Sequence, residues 1–113
     1  MLQRVHVQIL DHSANDIILA DREFQQPITN KYLADELKSE LNSSYPSMVS
    51  VEYIDLFMHE DDEYFIDIME LLRQGAITAP VILINGILKI HGGIPPSVIK
   101  KEVEKLIFSG PVH

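Results

Sequence analysis

At 113 residues, with 46% hydrophobic and 23% charged side chains, the chain has the size and composition of one globular domain able to bury a single core. Seventeen acidic against nine basic residues give a formal charge of −8. That balance opposes nucleic acid and anionic membranes as partners, because both need a basic surface to displace counterions. The absence of cysteine excludes disulfides, thiolate metal sites and iron–sulfur ligation. No apolar run reaches the roughly 18 residues needed to span a bilayer.

Met1-Leu2-Gln3-Arg4 passes straight into a strand pattern without the features of a signal peptide, so a cytoplasmic location is expected. Across 4–10, Val5, Val7 and Ile9 alternate with Arg4, His6 and Gln8, which predicts a strand with one buried face. Residues 11–27 read as irregular and end in Pro27. A helix is expected from about Thr29 to Ser44, with Thr29 or Asn30 as N-cap. Its stripe is Leu33, Leu37 and Leu41 with Tyr32 beside them, and Pro46 marks its far side. Val49, Val51 and Tyr53 alternate as a second strand ending near Asp55.

Glu60-Asp61-Asp62-Glu63 suits the start of a second helix, where free backbone amides favour carboxylates. Phe65, Ile68, Met69 and Leu72 are its apolar stripe, and Gly75 its left-handed stop. Val81-Ile82-Leu83-Ile84 is apolar throughout, as in a strand buried on both faces. Asn85-Gly86 signals a type I′ hairpin leading to a return strand over Ile87 to Ile90. Pro95-Pro96 suits the first turn of a last helix buried through Ile99, Val103, Leu106 and Ile107 and ended by Gly110-Pro111. One domain over 1–113 is expected, of α/β class and order β-α-β-α-β-β-α. The first strand–helix–strand unit calls for a right-handed crossover and a parallel pair.

This order, with Pro80 directly ahead of the buried strand, resembles the minimal thioredoxin/glutaredoxin core over most of residues 4–108. The resemblance implies a three-layer fold, a four-stranded mixed sheet flanked by three helices. It also implies a cis peptide bond between Ala79 and Pro80, and a groove in which the backbone of Ala79 pairs with an extended peptide. Tyr45-Pro46, Tyr53-Ile54-Asp55 and the run Pro80 through Gly86 are similar to the small YuzD-like proteins, which look like thioredoxin-fold domains bearing a Cys-x-x-Cys in the loop after the first strand. Sliding the loops together puts Leu19-Ala20-Asp21-Arg22 over that motif, with Leu19 and Arg22 in the cysteine positions.

The departure decides the chemistry. Thiol exchange needs a thiolate made available by a lowered pKa, and leucine and arginine supply no nucleophile or redox couple. Ser13, the nearest hydroxyl in that loop, stays inert without an adjacent base. Gly92-Gly93 is followed by Ile94-Pro95-Pro96, which lacks the acidic residue and free amides with which glutaredoxins hold glutathione.

Asp11, His12 and His91 are weak metal-ligand candidates: two imidazoles and a carboxylate suit zinc, but no short histidine spacing supports them. His91 is placed at the far end of its strand from the proline turn. His6 is expected either hydrogen-bonded beneath the second helix or, with Gln8 and Glu52, on a thinly covered face used in a dimer. The acidic run lacks the glycine turn and alternating ligands of an EF-hand. Ile17-Ile18-Leu19 either packs on the core or forms an exposed contact surface.

The sequence therefore points to a redox-inactive thioredoxin-like domain, without a cofactor, that binds a protein or peptide through Ala79, Pro80 and the 11–27 loop. The alternatives are a structural homodimer and, behind it, a metal-dependent enzyme using Asp11, His12 or His91.

Overall fold

The computed structural model describes residues 4–12, 17–21, 26–59 and 61–109; for 17–21, 26, 27 and 109 it describes the backbone path alone. Strand β1 (Val5–Asp11) runs up the middle of a four-stranded sheet. Two further strands, β2 (Ile17–Asp21) and β3 (Gln26–Thr29), pair as a separate antiparallel hairpin. Helix α1 (Asn30–Ser44) then leads to β4 (Val49–Asp55), which lies parallel to β1 with Val5 opposite Val49 and Asp11 opposite Asp55. Helix α2 (Ile66–Arg73) follows two short 3₁₀ turns. Strands β5 (Val81–Ile84) and β6 (Ile87–His91) form an antiparallel hairpin, and β5 also pairs antiparallel with β1. Helix α3 (Pro96–Ser109) ends the described chain.

The sheet order is β4-β1-β5-β6, a mixed sheet with helices on both faces, as the α/β reading expects. Alternation sorts the two cores. Val5, Val7 and Ile9 meet Val49, Val51, Ile82 and Ile84 under α1 and α3, through Leu37, Leu41, Ile99, Val103 and Ile107. Leu10, Ile54, Val81 and Leu83 face the other way, under Leu56, Phe65 and the half-buried side of α2. All four residues of β5 are buried, because each of its faces lies under a helix layer.

The strongest local signals act as read. Thr29 caps α1, its Oγ1 accepting from the Tyr32 N–H at 3.1 Å. Asn85 and Gly86 take φ of 52° and 81°, the left-handed pair a type I′ turn needs. The Ala79–Pro80 bond is cis.

Four expectations need correction. The 11–27 stretch is not wholly irregular: it contains the β2/β3 hairpin, which Ile17-Ile18-Leu19 enters as β-branched and large residues favour strands. The apolar stripe of α1 is Ala34, Leu37 and Leu41 with Leu33 half-buried, and Tyr32 is exposed. The acidic run does not open α2. Asp62 caps a 3₁₀ turn by accepting from the Tyr64 N–H, and α2 begins at Ile66. Finally, α2 has only eight residues and covers one end of its face, so His6 lies half-exposed beside Ser50 and not beneath a helix. Glu60, Gly110 and Pro111 lie outside the described residues.

Gln8 lies on that thinly covered face, yet it is 8% exposed and its Oε1 is buried without a partner among the described residues. An unmet buried acceptor costs about 1–3 kcal/mol. Gln8→Met keeps the volume and removes that cost, while losing one 3.3 Å bond to Glu52. It is expected to raise stability by about 1 kcal/mol, read as a higher urea midpoint at constant m-value; a lower midpoint would refute the account.

Candidate functional site

Antiparallel pairing carries the start of β5 and the end of β6 to one edge of the sheet, where Val81 faces His91. The end of β1 arrives beside them, since Leu10 faces Val81. The Gly92 N–H binds the proline turn to the glycine pair, donating to the carbonyls of Thr78 at 2.7 Å and Pro80 at 2.9 Å. Gly92 makes this approach with φ of 89°, a conformation that side-chain-bearing residues rarely adopt.

The result is a groove of about 390 Å³. It is lined by Asn30 and Leu33 of α1, by Ala79 and Pro80 of the turn, and by Gly92, Gly93 and Ile94. A Cβ built on Gly93 would meet open space, so the glycine keeps the groove wide. The main-chain N–H and C=O of Ala79 make no hydrogen bond to another described residue.

Beneath the Asn30 wall sits Asp11, 4% exposed. Its Oδ2 accepts from Asn30 Nδ2 and from the Tyr53 hydroxyl, each at 2.8 Å, and its Oδ1 accepts from the His12 N–H at 2.9 Å. This carboxylate orients the side chain at the head of α1. On the exposed flank of the same helix, a hydrogen bond to Glu36 pushes the Tyr32 phenol above its ordinary range. Tyr45, at the far end of α1, is raised in the same way by Glu104.

The metal candidates are not brought together as a ligand set. Asp11 is engaged as described, and His12 turns toward Phe57, their ring centroids 6.0 Å apart. His91 stands beside the proline turn, contrary to expectation, because the last residue of a hairpin's return strand lies opposite the first of its partner. There its Nδ1 accepts from the Thr78 N–H at 3.3 Å. Among the described residues no group of three or more histidine, aspartate or glutamate side chains is placed to hold a metal. A larger cleft of about 510 Å³, with His12, Phe57, Met69 and Arg73 along it, lies on the α2 side. It does not include Pro80, and Arg73 already pairs with Glu70.

Leu19 lies within β2, opposite Ile28 just ahead of the Thr29 cap and not in the first turn of α1 itself, and Arg22 is outside the described residues, as is Ser13. The residues at the head of α1 are Thr29 through Tyr32, of which Asn30 reaches the groove. Asn30 and Gly93 are the site residues that sequence reasoning missed. The Thr29 capping signal was the clue that could have located the first of them.

No protein-family model matches the chain, and no curated protein does. Among solved structures it is similar to a protein of unknown function, SA0789 from Staphylococcus aureus, at 20% identity over 92% of each chain with a TM-score of 0.62. At that identity the likeness bears on the fold alone. No helix among the described residues is long and apolar enough to cross a membrane.

Proposed function

We propose that this chain is a thioredoxin-like domain without thiol chemistry that serves as a binding or assembly module, taking an extended segment of a partner protein along the Ala79–Pro80 groove. The observation that carries the reading is the main chain of Ala79, which lines the groove and makes no hydrogen bond to another described residue. Unpaired backbone donors and acceptors there can add a strand-like segment, giving affinity without any reactive side chain. Half-buried Leu33 supplies apolar contact for its side chains, with the mostly buried Ile94 behind it. Lacking cysteine, the site can hold a peptide but not exchange a disulfide with it.

Gly93→Leu tests this directly. Gly93 has no positive φ and a Cβ there meets nothing, so the variant is expected to fold, with a leucine added to the lining of the groove. Peptides selected from a random library on the intact protein should shift the amide resonances of Ala79, Gly93 and Ile94. They should lose at least tenfold in affinity for Gly93→Leu. Equal binding by the variant would remove the groove from the account.

A homodimer is the second reading. Phe57, Met58, Tyr64 and Ile66 are each at least half exposed on the α2 side, enough apolar surface for a contact between copies. Light scattering distinguishes them, since a single 12.9 kDa species at high micromolar concentration leaves that contact unsupported.

A further inference from the structure

The half of the sheet face that α2 leaves uncovered holds a second constellation, at the opposite end of β1 from the groove. The β1/β4 register puts His6 beside Ser50 and Gln8 beside Glu52, all on one face. His6 Nδ1 lies 2.6 Å from Ser50 Oγ, a short hydrogen bond in which the hydroxyl donates to the imidazole in the tautomer that carries its proton on Nε2. On the ring's other side, Nε2 lies 3.5 Å from Glu52 Oε1. That oxygen also accepts from Gln8 Nε2 at 3.3 Å, so the carboxylate is held from the core side. The His6 backbone is fixed from the third side, its N–H donating to Asn85 Oδ1 at 2.8 Å. A hydroxyl bonded to a base, with the base oriented by a third group, is the arrangement that activates a serine.

We propose that Ser50 is an activated nucleophile, with His6 as its general base and Glu52 as the positioning residue, and that it takes acyl groups from small activated esters. In the acylation step Ser50 Oγ bonds to the carbonyl carbon while its proton passes to His6 Nδ1. The Nε2–H of the imidazolium is stabilised by the Glu52 carboxylate. The tetrahedral adduct collapses by breaking the bond to the leaving oxygen, which takes the His6 proton and departs as the alcohol, or departs as the phenolate while His6 gives that proton to water. Water then adds to the acyl-serine with His6 again taking a proton, the carboxylic acid leaves, and Ser50 Oγ recovers its hydrogen. Ser50 is exposed, so esters reach it freely. An open site keeps its water, which weakens electrostatic stabilisation of both tetrahedral adducts and makes turnover slow; with an activated ester the good leaving group makes acylation the faster step, so the acyl-enzyme accumulates. The groove reading and this one share no residue.

The test uses the full chain and p-nitrophenyl acetate. The expected result is a burst of p-nitrophenolate approaching one equivalent and an acetyl group mapped by mass spectrometry to Ser50. Ser50→Ala should lose that adduct. His6→Gln should slow its formation by about a hundredfold, the low end of the range for general-base catalysis. Glu52→Gln should slow acylation and Glu52→Asp should restore part of it, a rescue that loss of mere packing would not give. Absence of an acetyl group on Ser50, or an unchanged rate in folded His6→Gln and Glu52→Gln proteins, overturns the proposal.

Discussion

Asp11→Ala is expected to destabilise the protein by about 3 kcal/mol, at the upper end of the range for leaving buried donors without their acceptor, because more than one donor loses the same carboxylate. The carboxylate is 4% exposed and holds three donors: the Asn30 amide, the Tyr53 hydroxyl and the His12 N–H. Asn30 is itself buried, so its amide finds no water in place of Asp11, whereas the His12 N–H lies beside an exposed side chain and can. In a domain of this size the loss lowers the melting temperature by roughly 12–24 °C. Asp11→Asn should cost about half as much, because one amide oxygen can still serve Asn30 and Tyr53 while the NH₂ faces the His12 N–H. Asp11→Ala and Tyr53→Phe should be less than additive, since each removes the same bond. A loss below about 1 kcal/mol for Asp11→Ala would show that the network does not hold the head of α1. The groove should respond as well. With Asn30 unanchored, one wall loses its fixed orientation, so peptide affinity falls even where the variant stays folded.

How legible this was from sequence differs by residue. Val81 through Ile84 and Asn85-Gly86 carry their structure locally: an unbroken apolar run cannot face water on either side, and the turn needs two positive φ values. Pro80 was legible only through resemblance, since proline in a strand-like context does not by itself specify its geometry. The site behaved differently because it is built by pairing over long separations. His91 lies beside the proline turn through strand register, and Asn30 reaches Asp11 across the β2/β3 hairpin. Neither relation leaves a spacing in the chain. The 11–27 stretch misled because strand signals in Ile17-Ile18-Leu19 were outweighed by the turn residues around them. His6 and Glu52 were legible as sharing a face, but Ser50 was not joined to them, because only the β1/β4 register sets it beside His6.

The two sides of the sheet should also differ in how much a core truncation costs. Ile9 is fully buried on the central strand, in register with Tyr53 on one side and Ile82 on the other. Main-chain bonds to both neighbours keep β1 from moving into a void, so Ile9→Ala should fall high in the 2–5 kcal/mol range, near 4 kcal/mol. Ile68 packs on the opposite core but is half-buried, on a helix of eight residues that can shift inward. Ile68→Ala should therefore cost about 1 kcal/mol. Urea unfolding reads both, and similar m-values would confirm that stability and not compactness has changed. If Ile68→Ala cost as much as Ile9→Ala, α2 would be as firmly integrated as the central strand. The α2 layer would then be too rigid to settle into the void that the lost side chain leaves.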